Sequence, residues 1–391
     1  MKIANIRVRR LRTELTPPFR AAWDPVPRRS FAASLVFVET DEGVVGVGSG
    51  DTMDGFEPFI GLFLGQNPLT IARHVRTLET IGFHAGRYWP LEAALWDIIG
   101  QVCGQPVATL FGASADRLPA YASCGELKEP RERADAALAL REQGFRALKI
   151  RIDPVRGLEQ GLAALHATRE AVGASMDIMV DLNQAWRMAG DLAPALGPVG
   201  AREVVERLRD LGVLWVEEPL PGADVRGLAG LRAATGVRIA GGEMTRTVEE
   251  FFAYLEADAL DVYQPDVVLA VGMARARLVA DLAQARNRWF TPHSWTNGLG
   301  LLANLHIAAG VGAGPYFEFP YDPPGWTVER RDFFLAEPVR VEADGCVAVP
   351  ARPGLGAILD HDAVDRFTVT DEGRGTRDEG RGTRDEGRGT I

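Results

Sequence analysis

Long apolar runs are missing from this sequence. No window approaches the roughly 18 uncharged apolar residues that a membrane helix requires, which argues against a membrane protein. Cysteine is scarce too: Cys103, Cys124 and Cys346 are too few and too scattered for a disulfide framework or a zinc site, and they read as reduced, cytosolic thiols. Positive charge falls short of negative, 43 Lys and Arg against 53 Asp and Glu, for a formal net charge of −10. Nucleic-acid binding needs clustered cations against phosphate, so that class is set aside. The opening stretch MKIANIRVRRLRTEL alternates apolar and basic residues as a strand does and lacks the unbroken apolar core of a signal peptide. These absences leave a small molecule as the expected partner and the cytoplasm as the expected location.

What is present is ordinary globular composition, 46% hydrophobic and 25% charged, over 391 residues. A β/α barrel of about 250 residues plus a smaller domain divides that length naturally. The first hundred or so residues read as α+β. SLVFVETDEGVVGVGSG is a hairpin turning at Asp41-Glu42-Gly43, and residues 88–106 carry apolar positions at helical spacing up to Gly104 and Pro106. From about Leu118 the pattern changes. RALKIRI, DIMVDLN, VLWVEEP, RIAGGEM, ALDVYQPDV and RWFTPHS are short β-rich runs that alternate with helical stretches, one over about residues 156–172 and one ending near Leu211. Repeated alternation of this kind implies a parallel sheet closed into a barrel. The final residues, 371–391, repeat DEGRGTR with almost no apolar content and are expected to be disordered.

A barrel places its working residues at the C-terminal ends of its strands. Read with a period of two, RALKIRID aims Lys149 and Arg151 one way and Leu148, Ile150 and Ile152 the other. The next strand ends carry Asp181 and Asn183, Glu217 and Glu218, Glu243, Asp266 and His293. Three acids, Asp181, Glu217 and Glu243, on consecutive strands offer an all-oxygen set that suits a hard cation such as Mg²⁺; singly, each is also a natural helix cap or ion-pair member. Asp266 ends the strand before His293, and an Asp beside an imidazole holds its tautomer and raises its basicity, as a general base requires. A lone His after a proline also serves purely structural ends, and the other histidines lie in helical or peripheral stretches.

The ordered motifs LKIRID, VDLNQAW, WVEEP, GGEM, QPD, PHSW and FEFP, with PGLG near the C-terminus, resemble the enolase superfamily and within it the mandelate racemase subgroup. The resemblance runs over residues 1–369. It implies a modified TIM barrel, (β/α)7β, over residues 118–340, an α+β capping domain over 1–117, and a segment, 341–370, returning to the cap. It implies Asp181, Glu217 and Glu243 as Mg²⁺ ligands, His293 with Asp266 as the base, Glu318 as the acid that hydrogen-bonds the substrate carboxylate, and Asn183 beside metal and substrate. Lys149 matches the first Lys of the family's Lys-x-Lys pair. Arg151 stands where racemases carry a second, basic Lys, and a guanidinium with a pKa above about 12 is a poor base. The expectation is therefore a lyase, a dehydratase of a sugar acid that gives a 2-keto-3-deoxy acid; the alternative is a racemase, epimerase or cycloisomerase using the same proton abstraction. Relatives suggest a homo-oligomer. Arg20 and Trp23 in the cap, and Trp295 and Asn297 past His293, are the expected substrate contacts, with solvated loop positions as the other reading for the cap residues. The 36-residue span from Asp181 to Glu217 suggests an insertion near MAGDLAPALGPVG, as a lengthened loop or helix.

Overall fold

The computed structural model describes residues 1–312 and 314–369; the repetitive tail lies outside the described residues. An antiparallel sheet comes first, in the order β1 (Ile3–Phe19), β2 (Arg28–Thr40), β3 (Val45–Gly50). The expected hairpin joins β2 to β3, with Gly43 at a φ of 83° that a residue bearing a Cβ adopts only under strain. Strand β3 reads VGVGSG for a packing reason. An added Cβ would stand 2.1 Å from the Ala94 carbonyl oxygen at Gly46 and 2.0 Å from that of Pro90 at Gly48, so both glycines let the helix Trp89–Cys103 lie directly on the sheet. Leu91, Ala94, Leu95 and Ile98 of that helix pack with Val36 and Val38 of β2 and with Val75, Leu78 and Ile81 of the helix Ile71–His84. Truncating Leu95, which is fully buried, would cost about 2–5 kcal/mol. The helix ends where Gly104 turns left-handed at φ 63°.

Parallel strands and helices then alternate. Strands β4 (Arg117–Ser123), β5 (Ala147–Arg151), β6 (Asp177–Asp181), β7 (Val216–Glu217), β8 (Ile239–Gly241), β9 (Val262–Tyr263) and β10 (Trp289–Phe290) pair in chain order, and β11 (Phe317–Pro320) returns to the free edge of β4. Each connection carries a helix: Pro130–Glu142, Leu158–Val172, Pro198–Asp210, Val225–Thr235, Val248–Glu256, Met273–Ala285 and Gly298–Val311. The sheet curls until β10 faces β11. No ladder joins those two among the described residues, but the Gly314 N–H bonds to the Phe290 carbonyl at 2.7 Å and the Thr291 hydroxyl to the Tyr316 carbonyl at 2.7 Å, which spans the seam. The fold is α/β, a (β/α)7β barrel-like sheet with a separate antiparallel sheet before it; the alternation predicted the parallel barrel, and the resemblance its (β/α)7β form. The stretched span after β6 is a loop, residues 182–197, ahead of the helix from Pro198.

Strand periodicity divides the barrel into shells. Leu148, Ile150 and Ile152 face the apolar shell beneath the helices. Ala147 points inward with Tyr121, Met179, Trp215, Ala240 and Val262, which form an apolar floor. Lys149 and Arg151 point the same way as Ala147, one and two layers higher.

Two crossings fasten the front sheet to the barrel. Trp89 donates its indole N–H to the Ala270 carbonyl at 2.8 Å, and the fully buried Glu92 accepts the N–H groups of Met273 and Ala274 at 3.1 and 2.8 Å, where the start of the helix Met273–Ala285 favours negative charge. The C-terminal segment supplies the second. Its strand β12 (Cys346–Ala348) pairs antiparallel with β4. Within PGLG the Leu355 N–H then bonds to Asp97 at 2.7 Å and the Gly354 carbonyl accepts the Val107 N–H at 2.9 Å. Finally Thr368 bridges to Leu11, and the Val369 N–H meets the Arg10 carbonyl at 2.8 Å. No described helix is long and apolar enough to cross a membrane.

Candidate active site

Asp181 closes β6, Glu217 closes β7, and Glu243 lies two residues past β8, so three consecutive strand ends bring three carboxylates to one point. One oxygen from each lies within 4.8 Å of the others, and all three side chains are buried. The surroundings hold them only in part. Glu217 receives Lys149, the amide of Gln264 at 2.8 Å and the indole N–H of Trp215 at 3.3 Å. Glu243 receives the indole N–H of Trp186 at 2.7 Å, and Asp181 the backbone N–H of Asn183 at 2.8 Å. Asp181 Oδ2 and Glu243 Oε2 are buried without any hydrogen bond. Burial, and after it the Asp181 and Glu318 carboxylates, hold Glu217 above its ordinary range against the pull of Lys149. Crowded buried carboxylates with unpartnered oxygens and no nitrogen or sulfur among them fit a hard divalent cation such as Mg²⁺.

Cations stand beside the triad. Lys149 Nζ contacts Glu217, lies 2.8 Å from Glu318 and 3.7 Å from Asp181, and these carboxylates outweigh burial to hold the ammonium above its ordinary range. Arg151 Nη1 is 3.2 Å from Asp181 Oδ2, with the guanidinium 5.1 Å from the Trp23 ring and 6.0 Å from the Trp295 ring. The β5 to β6 register, which sets Arg151 opposite Asp181, produces this contact. Glu318 on β11 accepts from the Ser123 hydroxyl at 2.8 Å and the Ser294 N–H at 2.7 Å. Burial opposes its charge, yet Lys149, His293 and Arg151 prevail and hold the carboxyl well below the usual range.

His293 sits at the Glu243 side of the triad. Its Nδ1 lies 2.9 Å from Asp266 Oδ2, while Asp266 Oδ1 is fixed by the N–H groups of Val268 and Leu269 at 2.8 and 3.1 Å. An ionised Asp266 can only accept, so Nδ1 carries the proton and Nε2, 3.5 Å from Glu243 Oε2, faces the site. Burial disfavours the imidazolium, but Glu243, Glu318 and Asp266 outweigh that and push the pKa up to about 10.

The expected cap and loop residues divide. Trp23 and Trp295 meet edge to face at 4.8 Å over Arg151, and Trp295 donates to the Ser123 hydroxyl at 2.7 Å. Asn183, half-buried at φ 46°, lies beside Asp181. Arg20 is exposed and outside this network, because the neighbouring Phe19 turns inward and strand alternation sends Arg20 out. Asn297 spends its side chain capping the helix Gly298–Val311. Sequence reasoning assigned nothing to Trp186, Gln264, Ser123 or Ser294. Gln264, Trp186 and Ser294 were reachable, since they lie in QPD, VDLNQAW and PHSW; Ser123 ends a strand with no motif.

The Enolase C-terminal domain-like family matches residues 132–363. The chain belongs to the enolase superfamily. Among its curated relatives, D-galactarolactone cycloisomerase of Agrobacterium fabrum is 29% identical over 95% of this chain and 100% of its own length. The 3,6-anhydro-alpha-L-galactonate cycloisomerase of Streptomyces coelicolor is 32% identical over 71% of each chain, and the arabinonate dehydratase of Saccharolobus solfataricus 29% identical over 71% of this chain and 70% of that one. A solved racemase from Streptomyces coelicolor A3(2) with bound magnesium superposes with a TM-score of 0.79 at 28% identity, covering 94% of this chain and 100% of that one. Enolase-superfamily relatives of this chain are thus sugar-acid dehydratases, cycloisomerases and racemases; members use Mg²⁺, and the buried triad fits that ion.

Proposed function

We propose that this enolase-superfamily chain is a Mg²⁺-dependent dehydratase of a sugar acid, which removes the proton alpha to the carboxylate and expels the β-hydroxyl to give a 2-keto-3-deoxy acid. The observation that carries the reading is asymmetry across the triad: a His293–Asp266 pair on the Glu243 side, and on the Asp181 side Arg151, which cannot serve as a second base. Held by Asp181, Glu217 and Glu243, Mg²⁺ would supply Lewis-acid stabilisation of the charge that grows on the substrate carboxylate. Lys149 and Arg151 add two cations at the same place. Glu243 is the largest of the groups that raise the His293 pKa, so with a cation balancing that carboxylate the ring would be neutral and Nε2 free to accept the α-proton. The electrons of the C–H bond become the new C=C bond, the β C–O bond breaks, protonated His293 returns the proton to the departing oxygen in a syn elimination, and the enol so formed tautomerises to the 2-keto acid. Glu318, beside both Lys149 and the incoming carboxylate, gains proton affinity from that second negative charge.

The full-length likeness to a galactarolactone cycloisomerase favours a second reading, in which the leaving oxygen belongs to a ring. The proton transfers are unchanged, but the ring opens and no water is lost. One experiment tests both. The enzyme with Mg²⁺ is incubated with mono- and diacid sugars and their lactones, and the 2-keto product is captured as its semicarbazone, weighed by mass spectrometry and compared with a His293→Asn control. Product lighter by one water supports dehydration, and product of unchanged mass supports ring opening. If no acid or lactone yields a keto acid, both readings fall.

A further inference from the structure

Beside the triad lies a cavity of about 540 Å³, a size suited to a small organic ligand. Its wall includes Trp186, which bonds to Glu243, and Glu218, which follows Glu217 in the chain. Three arginines line it, and their circumstances differ. Arg187 is committed: its guanidinium bonds to the carbonyls of Asn183 and Trp186 and to the Gln184 side chain at 2.7, 3.1 and 3.0 Å. Arg87 is not. It reaches over from the front layer just before the helix Trp89–Cys103, its Nη1 is buried with no hydrogen-bond partner, and among the described residues it forms no ion pair. Burial, followed by repulsion from a second cation, Arg246, lowers the Arg87 pKa, and the more weakly acting carboxylates of Asp266 and Glu250 do not offset them. Glu250 also lines the cavity, but its Oε2 is taken by the N–H groups of Arg246 and Thr247, at 2.9 Å each.

A half-buried guanidinium that faces a cavity with a buried nitrogen unpartnered and no carboxylate in ion-pair contact is stabilised by an anion that enters the cavity. We infer that Arg87, with Arg246 beside it, receives a second anionic group of the substrate, so that the acid preferred by this enzyme is a diacid whose far carboxylate lies in this cavity. The inference rests on the proposed elimination for the near end of the substrate and specifies the far end. Arg87 is thereby a specificity-determining residue, and its planar fork suits a carboxylate held bidentately.

The test uses acids that cannot react. Adipate and hexanoate, a diacid and a monoacid of equal chain length without hydroxyls, are titrated calorimetrically into the full-length protein with Mg²⁺. Neither has a β-leaving group, so the binding comparison reads the subsite whether or not elimination is the reaction, and the sugar-acid screen reads elimination separately. One charge-assisted contact predicts that adipate binds about tenfold or more tighter than hexanoate. Arg87→Met shrinks that ratio to near one, and Arg87→Lys, which keeps the charge and loses the fork, leaves an intermediate ratio. The melting temperature of Arg87→Met is expected to equal or exceed that of the parent, because an unpaired buried cation has been removed. Equal affinities in the parent, an advantage that survives Arg87→Met, or a lowered melting temperature marking Arg87 as a structural cation would each overturn the inference. So would inorganic phosphate binding with the same Arg87 dependence while leaving adipate affinity unchanged, since the cavity would then belong to a separate anion.

Discussion

Two clusters of buried charge can be set side by side in this molecule. Around Asp322, just past β11, every charge is answered. Oδ1 accepts from Lys128 at 2.8 Å and Arg133 at 3.0 Å, and Oδ2 from Arg133 at 3.1 Å and from the N–H groups of Gly125 and Glu126 at 3.1 and 2.9 Å. Lys128 and Arg133 also donate to the carbonyls of Pro323 and Glu126. The cluster at the barrel mouth is as deeply buried, but Asp181 Oδ2, Glu243 Oε2, Glu218 Oε2 and two nitrogens of Arg151 have no hydrogen bond. Buried charge by itself says little about purpose; complete hydrogen bonding marks architecture, and systematic incompleteness marks a place where a ligand finishes the network.

Substitutions at the two clusters should therefore separate activity from stability. The largest effect falls at the mouth: His293→Asn should lower turnover by about 10²–10⁴-fold in the semicarbazone assay, with little change in urea stability. Asp322→Ala should do the reverse, costing about 3–5 kcal/mol in urea unfolding by stranding Arg133 and Lys128, while the enzyme that remains folded keeps its turnover per molecule. If both substitutions cost stability equally, the distinction fails. Magnesium sharpens it further. At about a hundredfold excess over its Kd, Mg²⁺ should raise parent stability by about 2.7 kcal/mol, and Asp181→Asn should lose that increment.

The smallest effect is in pH. Burial raises the Asp322 pKa, but Arg133 and Lys128 outweigh it and hold the carboxyl below its ordinary 3.8. A lowered folded-state pKa contributes stability that is present above the unfolded value and lost as pH falls through the folded one. Urea titrations below about pH 4 should accordingly show a shallower acid-side loss in Asp322→Asn than in the parent. An unchanged slope would mean that Asp322 is not the group being protonated.

The sequence disclosed the mouth better than its setting. Period-two alternation was enough to turn Lys149 and Arg151 inward, and successive β-rich runs put Asp181, Glu217 and Glu243 at neighbouring strand ends, because both are local consequences of strand geometry. Arg20 was left between substrate contact and solvated loop, and its exposure, with Phe19 the inward residue of the pair, fits the second. Arg87 was invisible because a chain crossing from the front layer delivers it, and that path is not encoded in local periodicity; Trp186 stood in VDLNQAW, but the loop that turns it to Glu243 is no more periodic. Glu92 and Asp97 carried no sequence signal, although both are buried tie points, to the helix Met273–Ala285 and to Leu355. PGLG stood out as a motif without a reason. The reason is space: a Cβ at Gly354 would lie 2.1 Å from the Asp97 carboxylate.

The double fastening of the front sheet bears on how a substrate gets in. A lid on one connection can swing like a door, whereas a panel screwed down at both ends cannot. Here the backbone crosses once between Gly104 and Arg117 and again between Ala348 and Thr368, with Thr368 zipped to Leu11, so the first strand of the chain and its last described residues clamp each other. Rigid rotation of the panel would have to break those bonds together. Traffic is left to the short segments between β1 and β2 and after β3, and loops of that kind move in the nanosecond-to-microsecond range.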